Sequence, residues 1–279
     1  MPSGALTVLA LALVVSAGCV ELVPLESGGG VAPSFPEPPA PSEGSDPRDV
    51  GHLRLTWPTS VDPRYQAYDD ALRDDPDLAA WVASLDAYLV LPEDLRIVHT
   101  ECGVENAYYS PDDRAIVLCW ELLDQISSVM QDPSLSREET QLGIGSVWLF
   151  VMFHETGHAL IDALDLPATG REEDAVDDLA SLLLIHADAA DAAVSAAIFW
   201  ILTDDGSYSD AKFADEHSLN SQRFYTILCT VYGSDPVGWS AIVDGGYLPH
   251  ERAQRCPQEY ARKEASWSRL LDPYTIQRA

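Results

Sequence analysis

The spacing of hydrophobic and polar positions changes near the middle of the chain. From residue 95 to residue 118, apolar positions tend to alternate with polar ones and include β-branched side chains, which is typical of short strands. The run Ser110-Pro111-Asp112-Asp113 within this region is typical of a turn. The pattern predicts three strands, over 95–101, 106–109 and 115–118.

Apolar positions recur at helical spacing on both sides of these strands. One helix is predicted over 70–88, where Leu78, Trp81 and Leu85 would share a buried face. After Cys119 the helical spacing continues almost to the C-terminus. The pattern predicts helices over 120–131, 139–164, 170–187, 189–203, 212–232 and 257–271. A few strands followed by many helices predicts an α+β fold that is mostly helical with a small sheet.

The first 50 residues differ in composition from the rest. Residues 1–18 are interpreted as a signal peptide, because their apolar run is too short to span a bilayer and ends in small residues. Ser16-Ala17-Gly18-Cys19 resembles the lipobox of bacterial lipoproteins, so Cys19 is the predicted lipidation site; an ordinary secretory signal is the alternative. Residues 19–50 are rich in Pro, Gly and Ser and are expected to form a tether, which leaves 51–279 as the folded domain.

Charge adds to this interpretation. The formal net charge is −29, which disfavours binding to nucleic acid and to anionic lipid headgroups. We therefore expect no nucleic-acid partner, and contact with a membrane through the lipid anchor only. The expected location is the bacterial cell envelope after export, and the expected state is a monomer.

The chain contains five cysteines. If Cys19 carries lipid, four remain, and an even number in an exported chain predicts disulfides. Four cysteines allow three pairings. We favour Cys102 with Cys119 and Cys229 with Cys256, because each of these pairs closes a short local loop. No two cysteines are at C-x-x-C spacing, so a cysteine-based zinc site is not expected.

The segment His154-Glu155-Thr156-Gly157-His158 matches the H-E-x-x-H motif in a strongly helical context. Residues four apart lie on one face of a helix, so both imidazoles can point a nitrogen at one ion. Glu155 leans to the side, where it can take a proton from a water held by that ion. The preceding apolar run, 147–153, indicates a buried helix, in which charged groups are costly unless they are paired or bind metal. A hydrogen-bonded pair of core histidines is the alternative.

Gly157 disfavours a helix by about 1 kcal/mol relative to Ala, so its presence predicts that another backbone passes close by.

A catalytic zinc needs a third protein ligand and an open position. Pro167 is predicted to end the H-E-x-x-H helix, and Thr169 with Glu172 to form a capping box that starts the next one. Glu173 borders the apolar face of that second helix and is the predicted third ligand. Asp177, one turn later, is the predicted carboxylate that orients a ligand histidine. For both acids the alternative is a solvated helix N-terminus.

Two further features bear on catalysis. The tetrahedral intermediate of peptide hydrolysis needs a stabilising donor, and His217 is the first choice among His217, Arg223, Tyr225 and Tyr247. A surface histidine is the alternative for His217. Residues 106–118 are the candidate edge strand for binding an extended peptide, with a purely structural hairpin as the alternative.

With these residues in hand, the chain resembles the gluzincin-type zinc metallopeptidases, which have H-E-x-x-H on one helix and E-x-x-x-D on the next. More narrowly, residues 98–271 are similar to a bacterial family of zinc metallopeptidases of largely unknown function. The resemblance implies a zincin-like fold with Zn²⁺ held by His154, His158 and Glu173. It rests on Glu101-Cys102-Gly103, Asn106-Ala107-Tyr108-Tyr109, Cys119-Trp120-Glu121-Leu122, HETGHALIDALDLP with GREEDAVDDLA, Gln222-Arg223-Phe224-Tyr225, Cys229, Val231-Tyr232-Gly233-Ser234-Asp235-Pro236, Leu248-Pro249 and Arg255-Cys256-Pro257.

The functional hypothesis is a peptide-bond hydrolase acting on a peptide or protein substrate. Water attacks a carbonyl polarised by zinc, with Glu155 as general base and then general acid. One alternative is a zincin-fold lipoprotein that binds peptide or envelope polymer without cutting it. Another is a structural domain stabilised by disulfides, in which the H-E-x-x-H segment binds no metal.

Overall fold

The computed structural model describes residues 51–59 and 61–275, so the predicted signal peptide, the lipidation site Cys19 and the linker lie outside the described residues. Four strands form one sheet in the order β1-β2-β4-β3. β1, β2 and β4 run parallel, while β3 pairs antiparallel with β4 and lies at the sheet edge. The strands are β1 (Leu53–Thr56), β2 (Leu95–Thr100), β3 (Ala107–Ser110) and β4 (Ala115–Cys119).

Helices make up most of the described chain, which confirms the predicted α+β fold. The longest helix, α4, has 27 residues and packs against α5 and α6 as well as against β3 and β4. A further layer forms where α8 packs against α5, α6 and α11. The helices are α1 (Gln66–Arg73), α2 (Pro76–Tyr88), α3 (Trp120–Val129), α4 (Arg137–Ala163), α5 (Glu172–His186), α6 (Ala190–Leu202), α7 (Asp210–Ala214), α8 (Asn220–Ser234), α9 (Ala241–Asp244), α10 (His250–Ala253) and α11 (Cys256–Leu271).

The single helix predicted over 70–88 is wrong, because the chain forms α1 and α2 instead. Pro76 begins α2, and a proline disfavours helical angles at the residue before it. Asp75 is extended at that point, and its carboxylate accepts hydrogen bonds from the N–H groups of Asp77 and Leu78 at 2.8 and 3.3 Å. The side-chain cap therefore starts a new helix where apolar spacing alone indicated a continuous one.

The helix predicted over 212–232 is also divided, into α7 and α8. Asp215 is extended at the end of α7, and its carboxylate accepts a hydrogen bond from the N–H of His217 at 2.9 Å. Such a local turn competes with helical hydrogen bonding and leads the chain out of the helix. As a result, His217 lies on the connection between α7 and α8.

The ends of α4 are set by local hydrogen bonds. Ser136 and Glu139 form a capping box, in which each side chain accepts a hydrogen bond from the other residue's N–H. The prediction that Pro167 ends this helix is wrong. The helix stops at Ala163, and Asp165 follows with a left-handed φ of 50°.

The capping box predicted from Thr169 and Glu172 is also wrong. Arg171 precedes α5, and none of the described side chains caps this helix start. The carboxylate of Glu172 instead contacts His158, with Oε1 2.7 Å from Nδ1. The side chain of Glu172 therefore contacts a residue of another helix, whereas the capping box would have it accept a hydrogen bond from the backbone.

Two disulfides join Cys102 to Cys119 and Cys229 to Cys256, which confirms the predicted pairing. The first links the segment before β3 to the end of β4, and the second links α8 to the start of α11. Among the described residues, no helix combines the length and apolar character needed to cross a membrane.

Gly157 lies where α4 and α5 approach each other closely. A Cβ atom built at this position would lie 2.7 Å from Cγ1 and 2.8 Å from Cβ of Val176. This contact confirms the prediction that a second backbone passes close to Gly157. The missing side chain lets α5 approach α4 directly beside the two histidines of the motif.

We predict that Gly157→Ala lowers the free energy of unfolding by about 2 kcal/mol, because the added methyl group overlaps Val176. Gly145→Ala is the matched control on the same helix, since a Cβ there meets nothing within 4 Å. The control should raise stability by about 0.5–1 kcal/mol through higher helix propensity. Urea unfolding of both variants with a chelator present measures the difference, and equal stability of the two would contradict the close approach.

Candidate metal centre

The two histidines of α4 face one carboxylate of α5. Nε2 of His154 is 3.1 Å from Oε2 of Glu173, and Nε2 of His158 is 3.3 Å from Oε1 of the same residue. The fold therefore brings together the three side chains that the sequence predicts as metal ligands. The one-turn spacing of the histidines and the close packing of α5 produce this convergence.

Each of these imidazoles is held by a second carboxylate at its other nitrogen. Nδ1 of His154 is 2.8 Å from Oδ1 of Asp177, and Nδ1 of His158 is 2.7 Å from Oε1 of Glu172. Histidines that bind metals commonly donate the second ring N–H to a carboxylate, which leaves Nε2 free for the ion. Asp177 lies where the sequence predicts an orienting carboxylate. Glu172 was missed, because its position suits a capping box.

Asp177 is in turn fixed by Arg223 of α8. Nε and Nη2 of Arg223 each donate to Asp177 at 2.7 Å, and the guanidinium lies 3.6 Å from the centre of the Trp200 ring. Asp177 and Arg223 are both buried. Arg223, one of the donors considered for the reaction intermediate, thus holds the carboxylate that orients His154.

His217 reaches the same centre from the connection between α7 and α8. Its Nε2 is 3.1 Å from Oε2 of Glu173, and its Nδ1 is 3.1 Å from Oδ1 of Asp215. One atom each of His154, Glu173 and His217 can be chosen so that all three lie within 4.8 Å of one another. The structure thus places His217 in the site, whereas Asp215 as its partner was not predicted.

Glu155 lies beside the ligands and is buried. Burial raises the pKa of its carboxyl group, and the imidazoles of His154 and His158 partly oppose this effect. A raised pKa makes a carboxylate a stronger proton acceptor. This is the property that the predicted role of Glu155 requires.

Contacts within the centre also shift the pKa values of Glu173 and His158. Burial alone would raise the pKa of Glu173, but the three imidazoles outweigh it and hold that pKa well below its ordinary range. Burial alone would lower the pKa of His158, but Glu173 and Glu172 outweigh it and raise the pKa to about 9. Imidazole nitrogens and carboxylate oxygens form a donor set that suits Zn²⁺, and a bound cation would replace the protons shared here.

Two cavities meet at the centre, and His154, Glu155 and His217 line both of them. One, of about 360 Å³, extends between α6, α8 and the segment that carries α7. The other, of about 710 Å³, runs along β3, which is fixed to α4 by a hydrogen bond from the Tyr109 hydroxyl to Asp162 at 2.9 Å. The smaller cavity is lined among others by Phe150, Trp200, Tyr208 and Lys212, whereas neither Tyr225 nor Tyr247 lines either one.

We predict that Arg223→Met lowers the free energy of unfolding of the metal-free protein by about 3 kcal/mol, because the buried carboxylate of Asp177 would lose both guanidinium hydrogen bonds and keep only its contact with His154. Arg223→Lys should also destabilise, since a single ammonium cannot replace two parallel N–H donors. Arg269→Met, at an exposed arginine of α11, is the control and should change stability by no more than about 0.5 kcal/mol. Urea unfolding tests this, and an Arg223→Met protein as stable as the control would contradict it.

A family model described as "putative metallopeptidase" matches residues 58–271, which include every candidate residue of the centre. No curated protein and no solved structure matches the chain. The family match covers more than half of the 279 residues and confirms the resemblance inferred from the sequence motifs. The chain therefore belongs to this metallopeptidase family.

Proposed function

We propose that the protein is a zinc-dependent peptide-bond hydrolase, with Zn²⁺ held by His154, His158 and Glu173. The observation that carries the proposal is the convergence of two Nε2 atoms on the two oxygens of Glu173, each imidazole being held at Nδ1 by a further carboxylate. Zinc at this position would polarise the substrate carbonyl and lower the pKa of water.

Glu155 supplies the proton transfers in this proposal. Its carboxylate takes a proton from the attacking water, and the same proton later passes to the nitrogen of the leaving amine. The burial of Glu155 and its position between the two cavities support this role. Burial raises the pKa of Glu155, in the direction that favours proton uptake.

The proposed substrate is a peptide or protein in extended conformation. β3 pairs with β4 on one side and lies at the edge of the sheet, and its residues line the larger cavity beside Glu155. An edge strand can bind an extended chain through main-chain hydrogen bonds. We further propose that the protein acts as a monomer and binds no nucleic acid, since its net charge is −29.

We predict that Glu155→Gln lowers peptide hydrolysis by a factor of about 100 or more while zinc binding is retained, because the amide cannot accept the proton. Glu138→Gln, at an exposed position in the first turn of the same helix, is the matched control and should keep full activity. A broad peptide library with mass-spectrometric readout measures turnover, and elemental analysis measures zinc per chain.

The same experiment separates the enzyme from its rivals. A wild-type protein that holds zinc and leaves every peptide of the library intact would favour a lipoprotein that binds peptide or envelope polymer without cutting it. A wild-type protein that retains no zinc after incubation with the metal would exclude the metallopeptidase function. Full activity of Glu155→Gln would exclude Glu155 as the proton acceptor.

We also propose that the protein is exported and anchored at the bacterial cell envelope by lipid on Cys19. The apolar run and the small residues before Cys19 support this, and two disulfides fit an oxidising compartment outside the cytoplasm. Residues 19–50 would then hold the folded domain away from the membrane surface.

We predict that Cys19→Ala moves the protein from the membrane fraction to the soluble fraction of an expressing bacterium, because the lipidated thiol is lost. Ser27→Ala, in the adjoining linker, should leave the membrane association unchanged. Fractionation, together with incorporation of labelled palmitate, measures this. A wild-type protein without label would favour an ordinary secretory signal.

A further inference from the structure

We propose that His217 is a fourth protein ligand of the same metal ion, so that three imidazoles and Glu173 surround it in the free enzyme. The proposal rests on the metal centre proposed above and assigns His217 a role other than donating a hydrogen bond to the reaction intermediate. An imidazole nitrogen that binds a metal uses its lone pair in that bond and carries no proton to donate.

The distances support direct ligation. Nε2 of His217 and Nε2 of His154 are each 3.1 Å from the same oxygen of Glu173. Zinc binds nitrogen and oxygen at about 2.0–2.2 Å, so two ligand atoms at tetrahedral angles on one ion lie about 3.3–3.6 Å apart. One atom each of His154, Glu173 and His217 lies within 4.8 Å of the other two, and His158 faces the other oxygen of Glu173, so rotation of these side chains has to bring the four donors onto one ion.

His217 also has the same orienting partner as the two histidines of α4. Its Nδ1 contacts Oδ1 of Asp215, as Nδ1 of His154 contacts Asp177 and Nδ1 of His158 contacts Glu172. In each case a carboxylate holds one ring nitrogen while the other faces Glu173. This repeated arrangement is typical of metal-binding histidines.

The helix that carries Glu173 fixes the backbone around His217. Nη1 of Arg171 donates to the carbonyl oxygen of His217 at 2.9 Å, and the hydroxyl of Ser218 donates to Asp174 at 2.6 Å. Both contacts join the connection after α7 to the first turn of α5 or to the residue before it. His217 is therefore held relative to Glu173 by the fold and not by its imidazole alone.

Among the three imidazoles, that of His217 is the most exposed. Its side chain is 43% exposed, compared with 6% for His154 and 15% for His158. It also lines both cavities, where substrate would enter. A site with four protein ligands would have no free tetrahedral corner, so His217, as the most exposed ligand, would be the one displaced by substrate.

The test compares His217→Asn with His186→Asn, using zinc alone and cobalt alone as probes. His186 is the matched control, because it is 48% exposed and pairs with Glu264 at 3.0 Å, remote from the centre. Competition with a chromogenic chelator should show about 100-fold weaker zinc binding for His217→Asn, because losing an orienting carboxylate alone costs about 10–100-fold. The visible spectrum of the cobalt(II) protein should change in His217→Asn and stay as in the wild type in His186→Asn.

Asp215→Asn provides a second test that leaves the imidazole in place, and it should weaken zinc binding about tenfold. Wild-type zinc affinity and an unchanged cobalt spectrum in His217→Asn would overturn the proposal. In that case zinc binding that is lost in His158→Asn and in Glu173→Gln would still support the proposed function. A wild-type protein that binds no zinc would overturn both.

Discussion

The close approach of α5 to α4 at Gly157 is the constraint on which the site depends. Where Gly157 meets Val176, no side chain of α4 separates the two helices, and Glu173 comes within 3.3 Å of both histidine nitrogens. A larger residue at Gly157 would push α5 outward and move Glu173 with it. Position 157 therefore accepts no larger side chain without a shift of α5, although Gly157 itself takes no part in the chemistry.

Around this contact, carboxylates hold the imidazoles in place. The buried pair of Asp177 and Arg223 is satisfied by two hydrogen bonds and by stacking on Trp200, so His154 faces the centre from a rigid support. His217 has a more exposed support and a more exposed ring. The centre thus combines a buried side on α4 and α5 with a more exposed side at His217, which borders both cavities.

The sheet contributes to the site through the position of its edge strand, β3. β3 lies at the edge, packs against α4 and lines the larger cavity, so an extended substrate there would pass Glu155. The Cys102–Cys119 disulfide joins the segment before β3 to the end of β4 and restrains that edge. The arrangement supports the peptidase activity proposed for this protein, and Glu155, the proposed proton acceptor, lines both cavities.

The sequence by itself determined what depends on local spacing. Three of the four strands, most of the longer helices, both disulfide pairs and the shared face of His154 and His158 follow from periodicity and short separations, whereas β1 was not predicted. Contacts between remote segments were decided by the tertiary structure alone. Glu172 illustrates this, because its position suits a capping box, yet its carboxylate contacts the imidazole of His158. The contacts of Arg223 with Asp177 and of His217 with Glu173 likewise follow from the packing of α5 against the segments that carry these partners, which no pattern along the chain records.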